Sequence, residues 1–148
     1  MNSFSEIFQA MIQDHGQLPR NFGKLDETTH SAEGVNPITG DRLEISIKAS
    51  SSDGTERIAE IKFSGQASAL ATTSASVMTN HLASMTLQRA RETVEQTLRW
   101  ITGEEEIPGD LPEDEYSVLL EIRNIPHRVP CARLAWNTAS CALGESEP

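Results

Sequence analysis

The sequence predicts an α+β fold: one domain in which a small antiparallel sheet is covered on one face by helices. Apolar residues recur at helical spacing near the start of the chain and again in its second half, and two segments between them alternate apolar and polar residues. The 148 residues correspond to one ordinary globular domain, and no internal repeat divides them. We therefore take residues 1–148 as a single domain, with residues 144–148 as a short acidic tail.

The first predicted element is an amphipathic helix over about residues 3–15. Its apolar positions follow the spacing of a helix that buries one face, and they are Phe4, Ile7, Phe8, Met11 and Ile12. Residues 16–40 contain four glycines and two prolines, so we predict a loop with at most a short strand. Connections of this length in a compact domain are usually functional or disordered, and we expect a functional one.

Two strands joined by a turn are predicted next. Residues 42–49 alternate apolar with polar or charged side chains, and residues 58–63 do the same. The intervening residues 50–55 include Asp53-Gly54, a dipeptide typical of tight hairpin turns. The pair should form an antiparallel hairpin with one apolar face, which the helices cover.

Four helical segments complete the predicted fold. Residues 67–84 are rich in Ala, Ser and Thr, which favours a helix packed closely against the sheet. Residues 86–102 carry an apolar face at helical spacing. A short helix is predicted over residues 116–122 and a last one over residues 131–143, with Pro130 in its first turn.

The charge of the chain excludes several classes of partner. The sequence has 22 acidic and 12 basic residues and a formal net charge of −10, which disfavours nucleic acids and anionic membrane surfaces. Eight acidic residues lie in residues 104–121, which hold no Lys or Arg and are typical of a solvated loop. No apolar run is long enough to span a membrane, and the N-terminus lacks the basic and apolar regions of a signal peptide. We therefore expect a cytoplasmic protein that binds neither nucleic acid nor membrane.

Three short segments contain residues suited to chemistry. Cys131 follows Pro130 at a helix start, where the helix dipole favours a thiolate, although a packing role is equally compatible with the sequence. Asp41 ends the turn Asn-Pro-Ile-Thr-Gly-Asp at residues 36–41, which is otherwise an ordinary loop. Ser68 follows a strand and has the position of a helix N-cap. The four histidines share no metal-ligand spacing, and no strained-turn serine motif favours acyl transfer.

Several segments resemble the U-type scaffold proteins of iron-sulfur cluster assembly, which are related to the N-terminal part of NifU, and especially their SufU branch. Residues 14–23, Asp-His-Gly-Gln-Leu-Pro-Arg-Asn-Phe-Gly, are similar to the family's DH-x-x-x-PRN-x-G signature. Residues 36–41 resemble its NP-x-CGD turn. Residues 63–79 resemble the strand, turn and helix that bear its second cysteine, and residues 125–136 resemble the segment with the third. The acidic stretch before that last segment is similar to an insertion of the SufU branch.

The resemblance implies a SufU/IscU-like fold and a site where three cysteines and one aspartate hold zinc or a nascent iron-sulfur cluster. It also implies a SufS-like cysteine desulfurase as the source of sulfur. Thiolates are soft, anionic donors that suit both metals. The matching ligands here are Asp41 and Cys131, whereas Thr39 and Ser68 stand where the family has its first two cysteines. Hydroxyls stay protonated at neutral pH and are weak donors to zinc or iron. The family's pattern does not support His127 as a third ligand.

Two functions follow from the resemblance. The first is a non-enzymatic scaffold or sulfur-transfer accessory of iron-sulfur cluster assembly, with Asp41 and Cys131 as the rest of its metal site. The second is a cluster-free paralogue that regulates the desulfurase or another assembly factor as an interaction module. A homodimer that shares one cluster is compatible with two ligands per chain. A third, unrelated function, an enzyme that pairs Cys131 with His127, lacks an evident orienting group.

Overall fold

The computed structural model describes residues 4–144, except for the side chain of Phe4. The helices in this part of the chain are α1 Phe4–Gln17, α2 Ala69–Leu82, α3 Leu87–Ile101, α4 Glu115–Leu120 and α5 Val129–Ala142. The strands are β1 His30–Asn36, β2 Asp41–Ser52 and β3 Thr55–Gln66. Two 3-10 turns connect α4 to α5, at Glu121–Asn124 and Pro126–Arg128. The predicted helix start at residue 3 and residues 145–148 of the predicted tail lie outside the described residues.

The three strands form one antiparallel sheet in the order β1, β2, β3. Asp53 and Gly54 form the turn between β2 and β3, and their φ angles of 54° and 78° meet the requirement of a tight hairpin turn. The predicted hairpin is therefore confirmed.

Strand β1 extends the sheet beyond the predicted hairpin. It lies within residues 16–40, where the sequence predicted a loop with at most a short strand, and it pairs with β2 along its whole length. Its seven residues alternate between half-buried and exposed positions, and Val35 is its one large aliphatic residue. Because the half-buried positions are filled by small or polar side chains, the alternation was not visible as a hydrophobic pattern.

The core lies between one face of the sheet and the helices. Helix α5 contacts β1 and β2, and α2 contacts β3. The inward-facing side chains of β2 are at most 1% exposed, and they are Leu43, Ile45 and Ile47. Trp136 is completely buried and Trp100 is 9% exposed, so both tryptophans belong to the core, as the sequence predicted. The predicted α+β class with helices on one face of the sheet is confirmed.

The small residues of α2 allow this helix to approach α5 closely. The hydroxyl of the buried Ser74 donates to the carbonyl oxygen of Ala132 at 2.7 Å and accepts from the indole N–H of Trp136 at 3.0 Å. The sequence predicted close packing of this helix against the sheet. The structure shows that α2 also contacts α1 and α5.

The Asp-His pair of residues 14–15 anchors α1 to two other helices. His15 is fully buried, and its Nδ1 lies 2.7 Å from the hydroxyl of Ser76 on α2, while its Nε2 lies 2.8 Å from the carboxylate of Glu115 on α4. The backbone N–H of Arg20 donates to the same Ser76 oxygen at 2.8 Å. The hydroxyl proton of Ser76 then points to Nδ1, which leaves the proton of His15 on Nε2 to bind Glu115. This network fixes the start of the connection between α1 and β1.

The last helix differs from its predicted start. Helix α5 begins at Val129 rather than Cys131, with Pro130 in the first turn, where a missing N–H leaves no hydrogen bond unmade. None of the helices in the described range is both long and apolar enough to cross a lipid bilayer.

Gly65 provides a test of the close backbone packing beside the end of β3. Its φ of +132° is unfavourable for other residues, and a Cβ there would lie 2.1 Å from the carbonyl oxygen of Arg42. We expect Gly65→Ala to lower the free energy of unfolding by about 3 kcal/mol, because strain and overlap with rigid backbone add. Urea denaturation followed by circular dichroism measures this change.

Gly109→Ala is the matched control. A Cβ at Gly109 meets no neighbouring atom, and we expect a change within about 0.5 kcal/mol. Equal losses of stability in the two variants would contradict the close approach of β3 to β2.

Candidate functional site

The four side chains singled out from the sequence meet at one end of the sheet. Thr39 lies in the turn between β1 and β2, Asp41 begins β2, Ser68 precedes α2, and Cys131 lies in the first turn of α5. Asp41 is only 4% exposed and contacts the other three side chains. The fold therefore brings together segments that are widely separated in the sequence.

The carboxylate of Asp41 accepts three hydrogen bonds. The backbone N–H of Ser68 donates to Oδ1 at 2.7 Å. The hydroxyls of Thr39 and Ser68 donate to Oδ2 at 2.9 and 3.5 Å. A buried carboxylate is strongly unfavourable unless such donors replace water, so these groups make the burial of Asp41 possible. Two of the three donors are hydroxyls at the positions where the resemblance places cysteines.

The β1–β2 turn holds the hydroxyl of Thr39 against Asp41. The side-chain oxygen of Asn36 accepts from the N–H of Ile38 at 3.1 Å, and its carbonyl oxygen accepts from the N–H of Gly40 at 2.8 Å. Thr39 Oγ1 also accepts from the N–H of Asp41 at 3.3 Å. The direction of the Thr39 hydroxyl is thus set within the turn and requires no bound ion.

Ser68 connects the carboxylate to α2. Its hydroxyl oxygen accepts from the N–H of Ala71 at 3.2 Å, so Ser68 is the N-cap that the sequence predicted. The same hydroxyl uses its proton for Asp41. One side chain therefore stabilises the start of the helix and the buried charge at the same time.

Cys131 is a free, partly buried thiol. Burial raises its pKa, and the negative charge of Asp41 raises it further, while the hydrogen bond from Ser68 and the charge of Arg128 act in the opposite direction. The raising causes are the larger ones, so the site favours a protonated thiol. The sequence had left a thiolate at the helix start and a packing role open. The surroundings of Cys131 favour the less reactive form.

Arg128 is the one charged neighbour of Cys131 that sequence reasoning missed. Its charge lowers the pKa of the thiol, although less than burial and Asp41 raise it. The signal was a basic residue three positions before the cysteine, in the 3-10 turn Pro126–Arg128. The exposed Cys141 lies on the same helix and is also free.

The donor set does not match the zinc or cluster site that the resemblance implies. Structural zinc sites use four thiolate, imidazole or carboxylate ligands. This site offers one thiol, two neutral hydroxyls, and one carboxylate whose two oxygens already accept hydrogen bonds. His127, which sequence reasoning considered as a further ligand, is exposed in the 3-10 turn before α5. The residues present therefore do not fit a four-ligand metal site.

A second group of potential ligands lies elsewhere, at the start of the connection after α1. One potential ligand atom from each of Asp14, His15 and Glu115 lies within 4.8 Å of the other two. Both nitrogens of His15 are already hydrogen-bonded, and the carboxylate of Asp14 pairs with the guanidinium of Arg20 at 2.8 Å. Hydrogen bonds and an ion pair occupy these groups, so the cluster links the helices and is not a metal centre.

These observations define a small α+β protein whose three site loops surround a buried aspartate. A family model described as the NifU-like N terminal domain matches residues 7–145. The chain belongs to the NifU-like N-terminal domain family.

Relatives of known name agree with this assignment. The chain is 29% identical over 140 residues to the iron-sulfur cluster assembly scaffold protein IscU of Thermotoga maritima, covering 95% of this chain and 94% of the relative. It is 25% identical over 141 residues to the zinc-dependent sulfurtransferase SufU of Bacillus subtilis, covering 95% and 92%. A putative iron-sulfur cluster assembly scaffold protein for the SUF system from Fervidobacterium islandicum AW-1 superposes with a TM-score of 0.75 at 27% identity, covering 90% and 93% of the two chains. The expected resemblance to SufU and IscU scaffolds is confirmed.

The effect of Asp41 on the thiol can be measured directly. Asp41 raises the pKa of Cys131 as a nearby negative charge and as the acceptor of the thiol proton. In a Cys141→Ser background, we expect Asp41→Asn to move the pH profile of Cys131 alkylation by iodoacetamide to lower pH. The thiolate fraction at neutral pH then increases, and so does the rate. A profile that stays in place or moves to higher pH would contradict the contact between the two side chains.

Proposed function

We propose that this protein acts in iron-sulfur cluster assembly as a partner-binding member of its family that holds neither zinc nor a cluster, and that its partner is a cysteine desulfurase. The names of the relatives support the pathway. The observation that carries the metal-free part is the bonding of Asp41, whose carboxylate is held by the hydroxyls of Thr39 and Ser68.

The energetics of the site support this proposal. A cation bound by Asp41 would have to displace hydroxyl donors that already neutralise the carboxylate, and Cys131 would be the one thiolate left to compensate. Four-ligand zinc sites contribute roughly 10–16 kcal/mol, and most of that free energy comes from anionic or imidazole donors. With two neutral hydroxyls in place of thiolates, the hydrogen-bonded site is favoured over the metal-bound one.

The surface next to the site supports docking of a protein. Ile38 lies at the tip of the β1–β2 turn, beside Thr39, and is 92% exposed. The hydrogen bonds of Asn36 hold this turn in one conformation, so a partner would contact Ile38 without first ordering the loop. A pre-formed turn with an exposed aliphatic tip suits recognition more than it suits ligand exchange at a metal.

Complex formation with a SufS-type cysteine desulfurase tests the proposal. We expect isothermal titration calorimetry to give the same affinity, within about twofold, in EDTA and in added zinc, because no metal bridges the proteins. Ile38→Asp should weaken binding by about tenfold or more, since it places a charge where an apolar contact is buried. Ser51→Asp, at the opposite end of the sheet, is the matched control and should leave the affinity unchanged.

Two outcomes would contradict the proposal. The first is a complex that forms in zinc and dissociates in EDTA. The second is the absence of any complex under both conditions. An equal loss of affinity in Ile38→Asp and Ser51→Asp would remove the assignment of the turn as the contact.

A second candidate function is sulfur acceptance by Cys131, and the retention of this thiol beside Asp41 and Ser68 favours it. In this reaction the outer sulfur of the desulfurase persulfide is transferred to the thiolate of Cys131. The products are a persulfide on Cys131 and the free desulfurase thiolate. Mass spectrometry after incubation with desulfurase and cysteine distinguishes the candidates. A persulfide that is present in Cys141→Ser and absent from Cys131→Ser would favour the second candidate over the first.

Two further expectations from the resemblance stay predictions. One is that Asp41 and Cys131 hold zinc or a cluster with recruited ligands, and the other is that a homodimer shares such a cluster. The molar mass and metal content of protein purified without oxygen test both.

A further inference from the structure

A cavity of about 750 Å³ lies away from the Asp41 site, between α1, the connection from α3 to α4, and α4 itself. Its apolar surface comes from three elements: Ile7 of α1, Ile107 and Leu111 of the connection, and Val118 of α4. Ile107, Leu111 and Val118 are only partly buried where they pack against the core, and Ile7 is 43% exposed. These side chains leave an apolar floor that the rest of the described chain does not cover.

Carboxylates surround this apolar floor. Glu106, Glu113 and Glu121 all line the cavity. Glu121 accepts a hydrogen bond from the side chain of Asn124 at 2.8 Å, whereas Glu106 and Glu113 have no hydrogen-bonded or ion-pair partner among the described residues. Arg123 is the single cation of the lining, and its guanidinium donates to the carbonyl oxygen of Glu105 at 3.2 Å.

The two features together specify the chemistry of an occupant. An apolar floor gains free energy when apolar side chains cover it, and unpaired carboxylates at its rim attract cations. A second copy of this chain, with a net charge of −10, would be repelled from the same rim. A neutral ligand would cover the floor but leave the rim charges partly desolvated and unpaired.

We propose that this cavity is a docking groove for a basic amphipathic segment of a partner protein, in which apolar side chains cover the floor and flanking Lys or Arg side chains pair with Glu106 and Glu113. Of the elements that form the groove, none carries Thr39, Asp41, Ser68 or Cys131. The groove is therefore a contact surface additional to the β1–β2 turn, and it does not depend on the function proposed for that site.

A synthetic amphipathic helix of Leu and Lys is the probe, and a helix of Leu and Glu at the same spacing is its counterpart. Binding is measured by fluorescence anisotropy, and the contact surface is mapped by amide chemical shifts of ¹⁵N-labelled protein. We expect the Leu/Lys peptide to bind, with the largest shifts at Ile7, Ile107 and Val118, and the Leu/Glu peptide not to bind. The affinity should fall as ionic strength increases, because the rim charges are exposed.

Two pairs of variants separate specific docking from general attraction to an acidic protein. Glu106→Gln with Glu113→Gln removes two rim charges, and Glu56→Gln with Glu60→Gln removes two exposed charges from β3. We expect the rim pair to weaken Leu/Lys binding by about tenfold and the β3 pair to change it by less than about twofold. Ile7→Lys should also weaken binding, whereas Val35→Lys should not, although the two residues are 43% and 45% exposed.

The proposal fails if the two glutamate pairs have equal effects, if the shifts lie outside the groove, or if Leu/Glu binds as well as Leu/Lys. Amide spectra of each variant without peptide show whether its fold is intact. The single substitution Glu113→Gln, at an exposed position, serves if the double variant is not folded, and the absence of any effect would also overturn the proposal.

Discussion

The burial of the Asp41 carboxylate is the constraint on which the rest of the site depends. A carboxylate that is only 4% exposed requires donors in place of water, and the chain supplies them from the β1–β2 turn and from the start of α2. Meeting this requirement fixes the direction of the Thr39 hydroxyl, the cap of α2 and the environment of Cys131. The three site loops are thus organised around one negative charge.

Family members with a full cysteine set and this chain meet the same requirement by different means. A bound cation would neutralise the aspartate and the thiolates together. Here a backbone amide and two hydroxyls act on the aspartate, and Cys131 remains as a thiol whose pKa is raised by burial and by the same carboxylate. Because the loops keep their conformation through hydrogen bonds, a surface for protein contact is retained even where metal ligands are replaced.

The sequence predicted those elements whose signal is local. The β2–β3 hairpin follows from alternation and Asp53-Gly54, and α3 follows from an apolar helical face. Strand β1 was underestimated because its half-buried positions hold small or polar residues. The Asp-His motif was recognised, but its partners Ser76 and Glu115 lie 61 and 100 positions from His15, and no local pattern reports such contacts.

The candidate site was predictable in position and not in bonding. The resemblance placed Thr39, Asp41, Ser68 and Cys131 together, whereas the direction of two hydroxyl protons depends on distances that only the folded chain provides. The sequence also indicated a solvated acidic loop over residues 104–121. The apolar groove beneath part of that loop requires Ile7, a residue from the other end of the chain.

The most direct test of a hydrogen-bonded, metal-free site is the metal content of two proteins purified without oxygen: the wild type and Thr39→Cys with Ser68→Cys, which restores the full cysteine set of the family. Zinc and iron per chain are measured by mass spectrometry, and circular dichroism verifies that both proteins are folded. Our account predicts substoichiometric metal in the wild type and about one zinc or one cluster per chain in the double variant. Stoichiometric metal in the wild type, lost in Asp41→Asn, would contradict it.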